Sequence, residues 1–328
     1  MKNAFLITFA IFLTLAGCGT MTSNGDRHIT AVTEPVQTAA ASELAATASS
    51  IALQELELLT PANVVAVPGE VEEILPDGDI DWSGNTVRAV GTGVVDTGNP
   101  NSAQALLMAE RAAVVVAQRN LLELVKGVRV DSETRVENFM TDYDVIYTRV
   151  QGIVRNARQV GSARYDSIAG VVEVELEMEI HSPQGLSGAL SSTLGGTDIS
   201  EVSMSPQTRE FLDQYSGLVI DGGQAGLQPS MYPKIYDENG RLLLDTKNYA
   251  SYLGSGGQSA MQFISDLDRI LDQPEFARSP LVLNVRRITG QLGTDIILSS
   301  TDSGKLGWLK DGLPFLLSAG RFLLRVII

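Results

Sequence analysis

Several stretches of this 328-residue chain carry side chains spaced as chemistry would space them. In DGDIDWSGNTVR, Asp77, Asp79 and Asp81 alternate as the first ligands of a calcium loop do. Trp82, however, holds the position that needs glycine, and Arg88 stands where a bidentate glutamate would close the shell. The stretch therefore reads as the acidic end of a linker. In VGTGVVDTG, Gly91 and Gly93 fall between an expected strand and an expected helix, the setting of a dinucleotide loop. The third glycine position is Asp96, whose carboxylate would occupy the place of a pyrophosphate, so a tight or bulged strand end is expected instead. The two histidines, His28 and His181, have no cysteine, serine or second histidine at ligand or triad spacing. Nothing matches a P-loop, a G-x-S-x-G elbow or an H-E-x-x-H helix. No catalytic residue, metal ligand, cofactor or small-molecule substrate is expected, and the chain is not read as an enzyme.

The most regular pattern is VVEVELEMEI. Val172, Val174, Leu176, Met178 and Ile180 alternate with Glu173, Glu175, Glu177 and Glu179. Period two makes this a half-buried strand whose outer face bears four carboxylates about 6.5–7 Å apart. Such a row needs either solvent or basic neighbours. Arg155, Arg158 and Arg164 are the nearest candidates, within or between subunits. The four glutamates are accordingly a candidate subunit contact.

The single cysteine, Cys18, poses a different question. Lys2 precedes an uncharged run from Ala4 to Leu15, and Leu15-Ala16-Gly17 then narrows to small residues. A charged start, an apolar stretch and a small-residue junction form an export signal, and the stretch falls short of the roughly 20 residues of a spanning helix. Leu15-Ala16-Gly17-Cys18 resembles the lipobox of bacterial lipoproteins, which implies removal of residues 1–17 and lipid attachment at Cys18. Each buried methylene adds about 0.8 kcal/mol, so several acyl chains hold a protein to a bilayer almost irreversibly. By the same resemblance Gly19, not an aspartate, implies the outer membrane, with the protein facing the periplasm.

Residues 18–81 read as a flexible tether rich in Ala, Thr, Ser and Pro, with a helical pattern over Ala39–Leu59. With Cys18 spent on lipid, no intramolecular disulfide is available, and stability must come from apolar burial. A formal charge of −15 argues against nucleic acid and anionic surfaces as partners. Residues 82–182 form a first domain: a strand over Thr86–Val95, then a long alanine-rich helix capped by Asn101 or Ser102 and ended at Gly127 in a left-handed conformation. A shorter helix over Val136–Val150 follows, with Phe139, Val145, Ile146 and Val150 buried, and then strands over Gly152–Ala163 and Gly170–Ile180. Residues 183–204 read as a linker. Residues 205–328 form a second domain, with strands over Leu218–Asp221, Leu281–Ile288, Thr294–Ser299 and Arg321–Ile328. It also has a hairpin over Lys234–Leu244 turning at Asn239-Gly240 and a helix over Gln258–Leu271. The fold class is α+β: two small domains, each a mostly antiparallel sheet with helices packed on one face, after a disordered tether.

Residues 109–160 carry ERAA, GVRVDSET and VQGIVRNAR, with Gly127, Val130-Asp131-Ser132, Phe139, Gly152 and Arg155 the most telling positions. This run resembles the LPP-twenty/FlgP-like lipoprotein family, typified by the flagellar basal-disk lipoprotein FlgP, and the N-terminal domain of the flagellar assembly protein FlgT. Residues 217–243, GLVIDGGQAGLQPSMYPKIYDENGRLL, resemble the module that follows this domain in larger relatives, with Gly222-Gly223-Gln224 replacing an alanine, arginine and glycine run. The resemblance implies a structural or assembly component of an envelope machine, first of all the flagellar basal body, with homo-oligomers or envelope and flagellar proteins as partners. The alternative expectation is a monomeric accessory lipoprotein that binds a cell-wall component or a soluble ligand.

Overall fold

The computed structural model describes residues 63–67, 70–194, 206–215, 217–223, 225–250, 261–266, 268, 279–306 and 324–327. Cys18 with its signal, the Ala39–Leu59 pattern and most of the expected tether lie outside them. Pro61–Ile328 form one compact unit containing two sheets. Among the described residues no helix is long and apolar enough to cross a membrane.

The first sheet is antiparallel throughout, built from β1 (Asn63–Val67), β2 (Glu70–Leu75), β3 (Gly78–Asp81), β4 (Thr86–Val94) and β7 (Val171–Glu179) in that spatial order. The short β5 (Arg158–Gln159) and β6 (Arg164–Asp166) both pair with the far edge of β7. Residues 63–81 were expected to be tether but form three strands. Pro76-Asp77 is the two-residue hairpin turn between β2 and β3, not a break. The inner face of β2 carries Glu73, which hides the alternation that would otherwise mark a strand.

Helix α1 (Ser102–Gly127) lies along the inner face of β4 and β7. Asn101 caps it, its side-chain oxygen accepting from Gln104 N–H at 3.1 Å. The helix buries Ala105, Ala109, Ala113 and Ala117 toward the sheet. The glycines of VGTG explain how close it comes: a Cβ on Gly91 would collide with the α1 backbone at Ala113 and Ala117, and one on Gly93 with Ala109. Register between β4 and β7 is unbroken from Thr86↔Glu179 to Val94↔Val171, so the expected strand-end bulge is absent. Gly127 is the last residue of α1 and does not adopt the expected left-handed conformation.

The expected helix over Val136–Val150 is two: α2 (Val136–Asp142) and α3 (Asp144–Arg155), broken where Tyr143 is extended. Val145 is largely exposed, while Met140, Ile146, Val150 and Val154 are buried. The series Ile146, Val150, Val154 has helical spacing and carries α3 through Gly152, where a strand was expected. Part of the expected linker folds as α4 (Leu186–Leu190), which buries Leu186, Ala189 and Leu190. Helix α5 (Pro206–Gln214) follows.

The second sheet contains β8 (Gly217–Asp221), β9 (Lys234–Tyr236), β10 (Leu242–Asp245), β11 (Met261–Ile264), β12 (Pro280–Thr289), β13 (Asp295–Leu298) and β14 (Leu324–Ile327), in the order β10-β9-β13-β12-β8-β14-β11. The expected hairpin is present, with Gly240 at φ +80° in its turn. The sheet is mixed, not mostly antiparallel. Strand β8 pairs in parallel with β12 and β14, β14 with β11, and β13 with β9. Central parallel strands read as short continuous apolar runs, which do not reveal their direction. Residues 261–264 were expected to be helical. Met261 and Ile264 suit one helical face, but the parallel ladder with β14 makes them strand.

Candidate functional site

The densest meeting of buried charge and hydrogen bonds lies between the two sheets. It forms where the loop after α1 (residues 128–135) meets the chain before β9 (residues 229–233). The loop is held in shape by Asp131, whose Oδ1 accepts from Glu133 N–H at 3.0 Å, Thr134 N–H at 2.9 Å and Thr134 Oγ1 at 2.7 Å. Main-chain bonds then cross the seam: Met231 N–H donates to the Arg129 carbonyl at 2.9 Å and Tyr232 N–H to the Val130 carbonyl at 2.8 Å. Leu292 N–H donates to the Ser132 carbonyl at 3.0 Å. Gly290, at φ +88°, passes so close to Ser132 that a Cβ would overlap it. The GVRVDSET and QPSMYPKI stretches thus bind each other.

At the closed end of the seam Arg129 forms a buried ion pair with Glu73 of β2, and its Nε donates to the Pro229 carbonyl at 2.6 Å. Trp82 Nε1 donates to the same Glu73 at 2.7 Å, and Arg129 lies 5.9 Å from the Trp82 ring centre. The Trp82 edge meets Phe263 of β11 at 5.7 Å. Ser83 links the sheets again, accepting from Val71 N–H at 2.7 Å and donating to the Phe263 carbonyl at 2.8 Å. Burial lowers the pKa of Arg129, while the facing Glu73 charge opposes that shift. A guanidinium retains its proton in such a site.

The other end is partly open and carries Asp131, Lys247, Lys234 and Asp295. Burial pushes Asp131 upward, but the Thr134 hydroxyl, the Glu133 N–H and two lysines outweigh it and hold the carboxyl below its ordinary value. Lys247 Nζ stands 3.4 Å from Asp131 Oδ2 and 5.4 Å from the Phe139 ring centre. Asp295 is raised because burial outweighs its bonds with Ser132 and the Lys234 N–H. Next to this end, His181 is packed edge-on against Tyr232 at 5.6 Å, and burial lowers its pKa to about 4. Among the described residues neither His181 ring nitrogen has a hydrogen-bond partner. The buried imidazole packs there against the Tyr232 ring.

The residues singled out from sequence are distributed elsewhere. Asp79 and Asp81, with Glu72, converge on Arg88 at 2.9, 3.6 and 3.0 Å, so a guanidinium fills the place read against a calcium loop. These carboxylates belong to a β2–β3–β4 charge cluster and not to a linker. Among the described residues no group of three or more His, Cys, Asp or Glu is arranged to hold a metal. Of the glutamate row, Glu173 pairs with Arg164 and Glu177 with Arg158, both across strand edges, while Glu175 and Glu179 have no ion-pair partner among the described residues. Arg155 sits on α3 and offers its carbonyl to Gln118. Sequence reasoning missed Glu73, Lys247 and Asp295 altogether. It met Arg129 only within a motif and Trp82 only as an obstacle to calcium. The usable signal was an acidic residue at an inward position of β2, which requires a buried cation.

Residues 217–319, just under a third of the chain, match the family described as Treponema pallidum Tp0624, second domain. This is a likeness of the second sheet's module. No curated protein matches the chain.

Proposed function

We propose that the chain is an outer-membrane-anchored periplasmic lipoprotein that serves as a structural or assembly component of an envelope machine, first of all the flagellar basal body. The anchor is Cys18. The FlgP-like resemblance of residues 109–160 supplies the flagellar candidate. The observation that carries the reading is where the shared motifs spend their polar groups. Arg129, Asp131 and Ser132, with the Pro229–Pro233 stretch, are engaged with each other in the seam and present no free acid, base or nucleophile to a substrate. Motif residues used to weld two sheets suit a rigid building block. Two experiments test this. Radiolabelled palmitate should enter the native protein and not Cys18→Ser, which should leave the outer-membrane fraction for the soluble periplasm. A deletion strain should lose motility or basal-body rings under electron microscopy. Normal swimming would remove the flagellar role, and unchanged fractionation of Cys18→Ser would remove the anchor.

A second reading, a monomeric accessory protein that binds a cell-wall component, is favoured by one feature. An open groove of about 490 Å³ between α3 and α4 is lined by Arg149, Asn156 and Gln184. Co-sedimentation with purified sacculi that Gln184→Ala abolishes would support it.

A further inference from the structure

Helix α1 is built inside out. It turns alanines to the sheet and leaves Leu107 59%, Met108 58% and Val115 64% exposed, with Val116 at 38%. These four residues offer roughly 400 Å² of apolar surface, within the range of the largest patch on an ordinary monomer, which is often functional. They lie on two adjacent i, i+4 ridges, Leu107–Arg111–Val115–Arg119 and Met108–Ala112–Val116, in a helix that runs without a break. Arg111 and Arg119 are both exposed and have no ion-pair partner among the described residues. On a chain of net charge −15, this is a cationic apolar stripe.

The complementary surface lies on the opposite side of the same layer. The β4–β7 pair that seats α1 on its inner face turns outward Val94, 78% exposed, and its register partner Val171, followed along β7 by Glu173, Glu175, Glu177 and Glu179. Arg164 and Arg158 occupy Glu173 and Glu177, which leaves Glu175 and Glu179. Eight helical residues separate Arg111 from Arg119, about 12 Å at 1.5 Å per residue. Four strand residues separate Glu175 from Glu179, about 13 Å at 3.3 Å per residue. Both surfaces begin at an apolar end, Leu107 and Met108 on one and Val94 and Val171 on the other, and both carry two like charges at matching spacing, with Val115 and Val116 lying between the two arginines of α1. Two α1 helices facing each other would instead bring Arg111 near its own copy, and like charges directly opposed are unfavourable.

We infer that the outer face of α1 docks on the outer β4–β7 face of a second copy of this chain, with Arg111 and Arg119 meeting Glu175 and Glu179. Because the two surfaces lie on opposite sides of one layer, the contact is heterologous. It continues from copy to copy, and closes into a ring if the rotation between copies allows. This inference rests on the assembly reading above and specifies its partner and surface.

Charge reversal of the full mature chain in detergent tests it, with mass read by light scattering and sedimentation. The wild type should self-associate, more weakly as salt rises. Arg111→Glu/Arg119→Glu and Glu175→Arg/Glu179→Arg should each weaken association at least tenfold with unchanged circular dichroism, since all four side chains lie outside the core. An equimolar mixture of the two variants should assemble again, because each then presents the charge the other lacks. Assembly insensitive to both reversals overturns this docking and leaves the assembly reading in place. Loss in both variants without recovery on mixing overturns the helix-to-sheet pairing. Sensitivity to the arginine reversal alone also overturns that pairing. A wild type that stays monomeric at about 100 µM, ten times above the micromolar range of modest interfaces, overturns self-association itself and with it the second copy as occupant.

Discussion

Replacing Arg129 with methionine removes a cation from a place where its partner cannot reach water. The Glu73 side chain is 4% exposed and that of Arg129 8%. Breaking a buried pair from one side leaves an uncompensated charge and costs about 3–5 kcal/mol. The lost bond to the Pro229 carbonyl adds about 1 kcal/mol. Against a total stability of about 5–15 kcal/mol, Arg129→Met should be severe. Glu73→Gln alone strands the guanidinium and should cost a similar amount, although an amide oxygen can still accept from Trp82 Nε1. The informative chain is the double variant, Glu73→Gln/Arg129→Met, with no buried charge left. It should be about 2–3 kcal/mol more stable than the sum of the single losses requires, since the two residues share one interaction. Urea unfolding at pH 7, followed by circular dichroism, measures all four chains. A loss under about 1 kcal/mol for Arg129→Met, or strict additivity in the cycle, would refute the view that this buried pair anchors the loop after α1 at the seam.

Two further outcomes follow from the packing. Folded His181 has its pKa lowered to about 4 from the ordinary 6.5. Between those values the unfolded chain takes a proton that the folded one refuses, so stability falls as pH drops through this window and levels off below it. The accumulated loss is about 3 kcal/mol. Denaturation midpoints from pH 7 to 4 should therefore fall more steeply in the wild type than in His181→Leu, and parallel profiles would sink the assignment. Gly93→Ala drives a Cβ into the α1 backbone and should cost at least the 1–3 kcal/mol of ordinary overpacking. Thr92→Ala on the outer face should stay within about 0.5 kcal/mol. Equal effects of the two on thermal unfolding would contradict the close helix–sheet contact.

Elements governed by local chemistry were legible in the sequence. The alternation of Val172 to Ile180 with glutamates, the Asn101 cap and the Asn239-Gly240 turn each depend on a few neighbouring residues, and each stands where expected. The errors fall where distant parts of the chain decide. Asp79 and Asp81 looked like the acidic end of a linker because Arg88 and Glu72, which make them one strand cluster, are gathered only by the folded sheet. Met261 to Ile264 looked helical because its apolar spacing fits either period, and the ladder with β14 settles it from 63 residues away. The glycines of VGTG read as a tight or bulged strand end, and only α1 laid across an unbroken strand gives them their reason.

By itself the sequence determined the half-buried strand of glutamates, the Asn101 cap and the α+β class, because caps, turns and periodicities are properties of adjacent residues. Only tertiary structure decided the mixed second sheet, the inward turn of Glu73 and the meeting of the two motif stretches. Strand direction and the partner of a buried charge depend on contacts across the fold, and a buried carboxylate becomes tolerable only once Arg129 and Trp82 have been brought to it.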